Sequence, residues 1–134
     1  MIYMIDTNVC IDVIRRRSRS LVERIRAHAV DDVVISAITL SELQHGVFKS
    51  ENPEQNRVAL LEFLVPFTVL PYEDTAARAY GEIRAHLEKQ GTPIGPMDLL
   101  IAAHARSRGL ILVTNNEQEF RRVPGLAIEN WIAS

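Results

Sequence analysis

Apolar residues along this chain change their period again and again, and each change predicts a new element. Met1-Ile2-Tyr3-Met4-Ile5 is a continuous apolar run that stops at Asp6, the pattern of a short buried strand. Asp6-Thr7-Asn8 are residue types that begin helices. The spacing of Val9, Ile11 or Val13, and Ile14 continues as one, and Arg15-Arg16-Arg17 closes it with charge suited to a helix carboxyl end. Ser18 or Ser20 then starts a second helix through Leu21, Val22, Ile25 and Ala29. After an Asp31-Asp32 turn, the β-branched run Val33-Val34-Ile35 predicts the second strand, with Ser36 capping the next helix. Residues 37–49 place Leu40, Leu43, Val47 and Phe48 on one face, which puts Glu42 in an early turn of a helix that leaves a strand end.

Asn52-Pro53 breaks the chain, and Pro53 suits a first helical position. Val58, Leu61, Leu64 and Val65 predict the apolar face of a helix running to about residue 65, where Pro66 stops it. Phe67 to Leu70 reads as the third strand, ended by Pro71. A long helix from about Glu73 to Gln90 carries Ala76, Ala77, Tyr80, Ile83 and Leu87, and Gly91 terminates it. Thr92-Pro93-Ile94-Gly95-Pro96 is a loop stiffened by its prolines. The next helix, Met97 to Arg108, is apolar on nearly every side apart from Asp98, His104 and its basic end, so it belongs at the centre of the domain. Leu110 to Val113 is the fourth strand, followed by Thr114-Asn115-Asn116, a helical turn from Glu117 to Phe120, and an edge strand at Ala127-Ile128-Glu129 before Trp131. Strands alternate with helices throughout, which predicts an α/β fold: a three-layer sandwich with a central parallel sheet of 4–5 strands and helices on both faces.

Length and composition narrow this picture. The chain has 134 residues, which fit a single domain, 1–134, with a core of useful size. Its 47% hydrophobic and 24% charged residues match a globular protein. No apolar stretch approaches about 20 residues, and no basic segment precedes a hydrophobic one at the amino terminus, so the expectation is a cytoplasmic protein without membrane contact. The single cysteine, Cys10, has no partner for an internal disulfide and no metal-ligand spacing around it; it is expected as a small buried side chain on the first helix. The net charge of −2 is unevenly spread, +3 over residues 1–30 and −5 over residues 31–134. Arg15, Arg16, Arg17 and Arg19 are the candidate contacts for the phosphates of a polyanion, with a solvated arginine run as the alternative.

The chemistry lies at the strand ends. Asp6 follows the first strand, Glu42 lies in the helix after the second, Thr114-Asn115-Asn116 follows the fourth, and Asp98 stands in the first turn of the apolar helix. Singly, each acid reads as a helix cap or a surface residue. Collectively they sit where ligands bind in parallel sheets, beyond the carboxyl ends of the strands. Converging carboxylates repel one another and are costly to bury without a cation. Hard oxygen ligands with no His or Cys alongside suit Mg²⁺ or Mn²⁺, the equipment of metal-assisted phosphoryl transfer. Asp6, Glu42 and Asp98 are therefore the expected metal ligands and catalytic residues, with Asp6 or Asp98 also orienting the attacking water. His28, His45, His86 and His104 are scattered over different predicted helices without ligand spacing, and none is assigned to catalysis. Tyr72 and Tyr80 read as core or dimer contacts.

Four blocks carry a family likeness: Ile5-Asp6-Thr7-Asn8; Ser41-Glu42-Leu43 with Gly46; Pro96 to Ala103 with Asp98; and Val113-Thr114-Asn115-Asn116 with Glu119-Phe120. In this order and spacing they resemble the signature blocks of PIN-domain ribonucleases, above all the VapC toxins of VapBC toxin–antitoxin systems, over essentially the whole chain. The resemblance implies an α/β fold in which Asp6, Glu42 and Asp98 hold one or two Mg²⁺ or Mn²⁺ ions. It implies an endoribonuclease acting on structured RNA such as tRNA or ribosomal RNA, tRNA first. It further implies a homodimer, restrained by a VapB-like antitoxin that places a basic residue in the acidic pocket, and a toxin–antitoxin complex that binds operator DNA.

The chain departs from the pattern at one position. Many PIN domains carry a fourth acid where this chain has Asn116, whose amide offers an oxygen but no charge, so a second ion should bind more weakly. Glu119, a turn further on, is the candidate replacement. Thr7, Asn8 and Thr114 are expected to position carboxylates through hydrogen bonds rather than to touch metal. Two other readings use the same residues: a PIN-like module that captures a basic partner tail in its acidic pocket, and a metal-dependent nuclease or phosphatase with a non-RNA substrate, since carboxylates do not read a 2′-hydroxyl.

Overall fold

The computed structural model describes residues 1–132. Its centre is a five-stranded, wholly parallel sheet in the order β3-β2-β1-β4-β5. The strands are β1 (Tyr3–Ile5), β2 (Val33–Ser36), β3 (Thr68–Leu70), β4 (Ile111–Val113) and β5 (Ile128–Glu129). β1 lies in the middle, with Tyr3 paired to Val33 on one side and Ile111 on the other. The chain builds outward through β2 and β3, then returns across β1 to add β4 and β5. That reversal opens a crevice at the carboxyl edge beside β1, the usual ligand site of such sheets.

Because successive side chains in a strand point to opposite faces, each central strand feeds two cores. Met4, Val34 and Leu112 face the layer made by α5 (Asp74–Gln90) and α6 (Pro96–Ser107), where Ile83, Leu87, Ile101 and Ala102 are buried. Ile5, Ile35 and Val113 face the other layer, made by α1 (Thr7–Ile14), α2 (Arg19–Arg26), α3 (Ala37–Lys49) and α4 (Pro53–Leu64), with Val9, Cys10, Leu21, Leu43 and Leu60. The short helix α7 (Glu117–Phe120) sends Phe120 into the first layer. Helices thus cover both faces, which is why the strands read as unbroken apolar runs. Cys10 is fully buried on α1, as expected. Gly91, in the left-handed conformation at φ 69°, ends α5 as its sequence position implied.

Several apolar residues lie elsewhere than their spacing suggested. On α4 the inward residues are Leu60, Phe63 and Leu64, while Val58, Leu61 and Val65 are exposed. That helix packs chiefly on α3 rather than on the sheet, so a narrow stripe suffices. On α3, Leu40, Leu43 and Val47 point inward, but Phe48 is 77% exposed and the fully buried Thr39 takes the inner flank. On α5, Ala79 rather than Ala77 is buried. Met1 and Ile2 precede β1 and are exposed, α2 stops at Arg26, and Val30–Asp32 forms a 3₁₀ turn. No helix among the described residues is long and apolar enough to cross a membrane.

Candidate active site at the carboxyl edge of the sheet

Five polar residues are buried among the described ones: Asp6, Ser36, Thr39, His104 and Thr114. Buried polar groups are costly unless bonded, so where they collect is informative. Asp6, Ser36 and Thr114 stand at the carboxyl ends of β1, β2 and β4, and Thr39 lies one turn into α3.

Asp6 performs two tasks. Its Oδ1 accepts from the backbone N–H of Val9 at 2.9 Å, capping α1, and its carboxylate also takes the Thr114 hydroxyl. Thr114 Oγ1 in turn accepts from the Asn116 amide N–H at 2.9 Å, which ties the end of β4 to the end of β1. The capping role explains why Asp suits the position, and the burial explains its chemistry: withdrawal from water pushes the Asp6 carboxyl up to about 6, against the Thr114 and Val9 hydrogen bonds, with Asp12 and Glu42 adding repulsion.

Glu42 reaches the same edge from α3. Thr7 Oγ1, at the first position of α1, donates to Glu42 Oε1 at 2.6 Å and lies 3.3 Å from Thr39 Oγ1. Thr39 and Glu42 are three residues apart and so share a helix face. The Thr7 bond joins the helix leaving β1 to the helix leaving β2.

The third group comes from α6 and α7. Asp98 occupies the first turn of α6, behind Pro96. Its carboxyl is pushed up to about 7 by loss of solvent first, then by the charges of Glu119, Asp6 and Glu42, and by a hydrogen bond shared with Glu119. Glu119 is held at both oxygens: Oε1 accepts from the Gly95 N–H at 2.7 Å and Oε2 from Asn116 Nδ2 at 2.7 Å. A Cβ on Gly95 would stand 3.6 Å from Glu119 Oε1 and 3.8 Å from Asp98 Oδ2, so the loop passes close to both acids.

The structure therefore brings Asp6, Glu42 and Glu119 within electrostatic reach of Asp98, with Asn116 bonded to Glu119. Thr7 and Thr114 each donate to a carboxylate, as their positions suggested. Asn8 differs: it is exposed and, among the described residues, donates to none of the carboxylates, because on a helix it points about 100° away from Thr7. Arg15, Arg16, Arg17 and Arg19 are all exposed; Arg17 lies 3.5 Å from Asp12, and Arg15 lines a cleft of ≈ 800 Å³ that runs from Glu42 between α1, α3 and α4. His104, unassigned in the sequence, is 1% exposed, and its Nδ1 bonds Ser36 Oγ at 2.7 Å. The partners lie 68 residues apart, so spacing carried no sign of them.

The donor set at this edge is carboxylate throughout, which fits a hard divalent cation and not a soft one. Among the described residues no three His, Cys, Asp or Glu side chains are gathered tightly enough to hold a metal ion as they stand.

Comparison with known proteins bears on this edge. The family model for the PIN domain matches residues 3–126. The tRNA(fMet)-specific endonuclease VapC of Shigella flexneri is 47% identical over 129 residues, 96% of this chain and 97% of that protein. Among solved structures, DNA-bound VapBC from Salmonella typhimurium matches with a TM-score of 0.94 at 45% identity, covering 98% of both chains. VapBC2 from Rickettsia felis, bound to a DNA fragment from its promoter, matches at 0.93 and 42% identity, covering 98% of this chain and 99% of that one.

Proposed function

This chain belongs to the PIN-domain family and, within it, to the VapC ribonucleases, and from that membership we propose that it is the toxin of a toxin–antitoxin pair: a divalent-metal-dependent endoribonuclease that cuts structured RNA, tRNA first, and so stops translation. The observation that carries the reading is the meeting of Asp6, Glu42, Asp98 and Glu119 beyond the carboxyl ends of β1, β2 and β4, with two of the four carboxyls raised by burial first and by neighbouring acids second.

Mg²⁺ or Mn²⁺ is the cation this oxygen set would hold, and once bound it supplies charge neutralisation and Lewis acidity toward the scissile phosphate. Asp6, Glu42 and Asp98 are the proposed ligands, and Glu119 provides the fourth charge that Asn116 lacks. Thr7 keeps Glu42 turned to the edge, Thr114 and the Val9 N–H fix Asp6, and Asn116 with the Gly95 N–H fix Glu119. Asp98, partly open to solvent, orients the attacking water and takes its proton. The exposed arginines after α1 and Arg15 at the cleft hold RNA phosphates.

The Shigella relative's name supports initiator tRNA as the substrate, and the Salmonella and Rickettsia assemblies support a VapB-like partner whose complex with this chain binds operator DNA. A cytoplasmic homodimer completes the proposal. The test is paired expression of the wild type and Asp6→Asn in a bacterial host, with sequencing of all RNA 5′ ends. Growth arrest and one or a few new tRNA ends with the wild type alone is the expected result. Equal cleavage by purified Asp6→Asn, free of trace nuclease, would overturn the site.

A further inference from the structure

The buried pair His104 and Ser36 links the two helices that carry separate carboxylates. His104 lies on α6, six residues after Asp98, and its Nδ1 is 2.7 Å from Ser36 Oγ inside the protein. Ser36 is the cap of α3: its Oγ accepts from the Ile38 N–H at 3.0 Å, at the start of the helix that bears Thr39 and Glu42. Among the described residues no other side-chain hydrogen bond joins β2 or α3 to α6. Asp98 and Glu42 thus sit on two helices that pack through Ile38 against the α6 core, and this bond between two fully buried residues is the polar tie between them.

The imidazole has little else to hold it. Its Nε2 is buried without a well-formed hydrogen bond, and its ring stands edge-on to Tyr72 with centroids 5.5 Å apart. The Pro71 carbonyl and Glu73 favour the charged ring, but less than burial and Arg108 disfavour it. A buried histidine that leaves one nitrogen poorly satisfied is a costly way to fill space, and Leu or Met would fill it without that cost. What His supplies and those residues do not is a rigid polar atom at the δ position, aimed at the cap of α3.

We infer that His104 is a positioning residue for the carboxylate site: through Ser36 it sets α3 against α6 and so fixes the separation of Glu42 from Asp98. The inference rests on the proposed metal site, and the experiment keeps the two apart. Mn²⁺ binding is titrated calorimetrically on the wild type, Asp6→Asn, His104→Asn, His104→Gln and His104→Leu, with thermal unfolding of each. Asparagine places an amide nitrogen where Nδ1 lies; glutamine and leucine do not. His104→Asn should bind Mn²⁺ within about twofold of the wild type, while His104→Gln and His104→Leu should bind about tenfold more weakly, the usual effect of losing an outer support of a metal ligand. RNA cleavage at saturating Mn²⁺ should follow the same order. Equal affinities for the Asn and Gln variants, or an unfolded His104→Asn, would overturn the role. A wild type with no ion site sensitive to Asp6→Asn would instead overturn the metal reading and this inference with it.

Discussion

Asn116 Nδ2 donates to Glu119 Oε2 at 2.7 Å, so the amide that follows β4 supports a carboxylate at the site edge. The amide keeps Glu119 aimed, with its other oxygen on the Gly95 N–H. Glu119→Gln removes a charge and should lower the cleavage rate about a hundredfold, whereas Asn116→Ala only frees Glu119 and should cost about tenfold, the span seen for ligands and their supports. Single-turnover cleavage at saturating metal would measure both. An Asn116→Ala variant more impaired than Glu119→Gln would make the amide, and not the carboxylate, the acting group.

The two threonines should separate by substitution with valine, which keeps shape and removes the hydroxyl. Thr7→Val takes the donor from Glu42, and Thr114→Val takes it from Asp6, where that bond opposes the upward push of burial. Both should weaken Mn²⁺ binding by about tenfold. Only Thr114→Val should raise the pH at which Asp6 ionises further, read by carboxyl-resolved NMR titration of the metal-free protein. A Thr7→Val variant with wild-type affinity would mean that Glu42 needs no support at that oxygen.

Much of this architecture is legible in the amino-acid order alone. The apolar runs ending at Asp6, Ser36 and Val113 mark three parallel strands because such strands are buried on both faces, and the acids just beyond them mark the crevice. Asp6, Glu42 and the two threonines are legible for that reason, Asp98 from its place in the first turn of an otherwise apolar helix, and Glu119 only from the family resemblance. Less legible is whatever depends on which neighbour each helix finds. The stripe on α4 is misplaced by spacing because α3 covers it instead of the sheet, and Phe48, next to the correctly read Val47, faces solvent. The His104 and Ser36 bond is invisible for a similar reason: two polar residues 68 positions apart meet only after two helices have packed.

Acid should stabilise the metal-free protein. The carboxyls of Asp6 and Asp98 are raised from 3.8 to about 6 and about 7. Between pH 4 and 7 the native state therefore binds more protons than the unfolded chain, and stability falls as pH rises through that window. For Asp6, which is almost wholly buried, the displacement corresponds to roughly 3 kcal/mol at about 1.4 kcal/mol per pKa unit. His104 works in the opposite sense. Burial and the Arg108 charge lower its pKa, so its contribution is present at neutral pH and is lost as pH falls below the ordinary histidine value of about 6.5. In EDTA the Tm should drop from pH 5 to 7.5, Mn²⁺ should restore it at pH 7.5 and do little at pH 5, and Asp6→Asn with Asp98→Asn should abolish the drop. A drop unchanged in that double variant would place its source elsewhere.

Stability and site should also come apart at the Trp131 cluster. Trp131 is 1% exposed and packs against Tyr3 of β1 with ring centroids 4.9 Å apart; it stacks on His28 at 5.1 Å, and the Arg24 guanidinium lies 5.2 Å from its ring centre. This cluster ties the segment after β5 and Arg24 of α2 to Tyr3 at the start of β1, while Asp6 leaves the carboxyl end. Trp131→Ala opens a large cavity and should cost about 3–5 kcal/mol. Because Thr7, Thr114 and the Val9 N–H still hold their carboxylates, the folded fraction should bind Mn²⁺ and cut RNA with wild-type constants. Denaturant unfolding paired with Mn²⁺ titration below the transition would measure both quantities. Loss of metal affinity in step with loss of stability would mean that β1 transmits strain along its length, and that the carboxyl edge is less rigid than its hydrogen bonds imply.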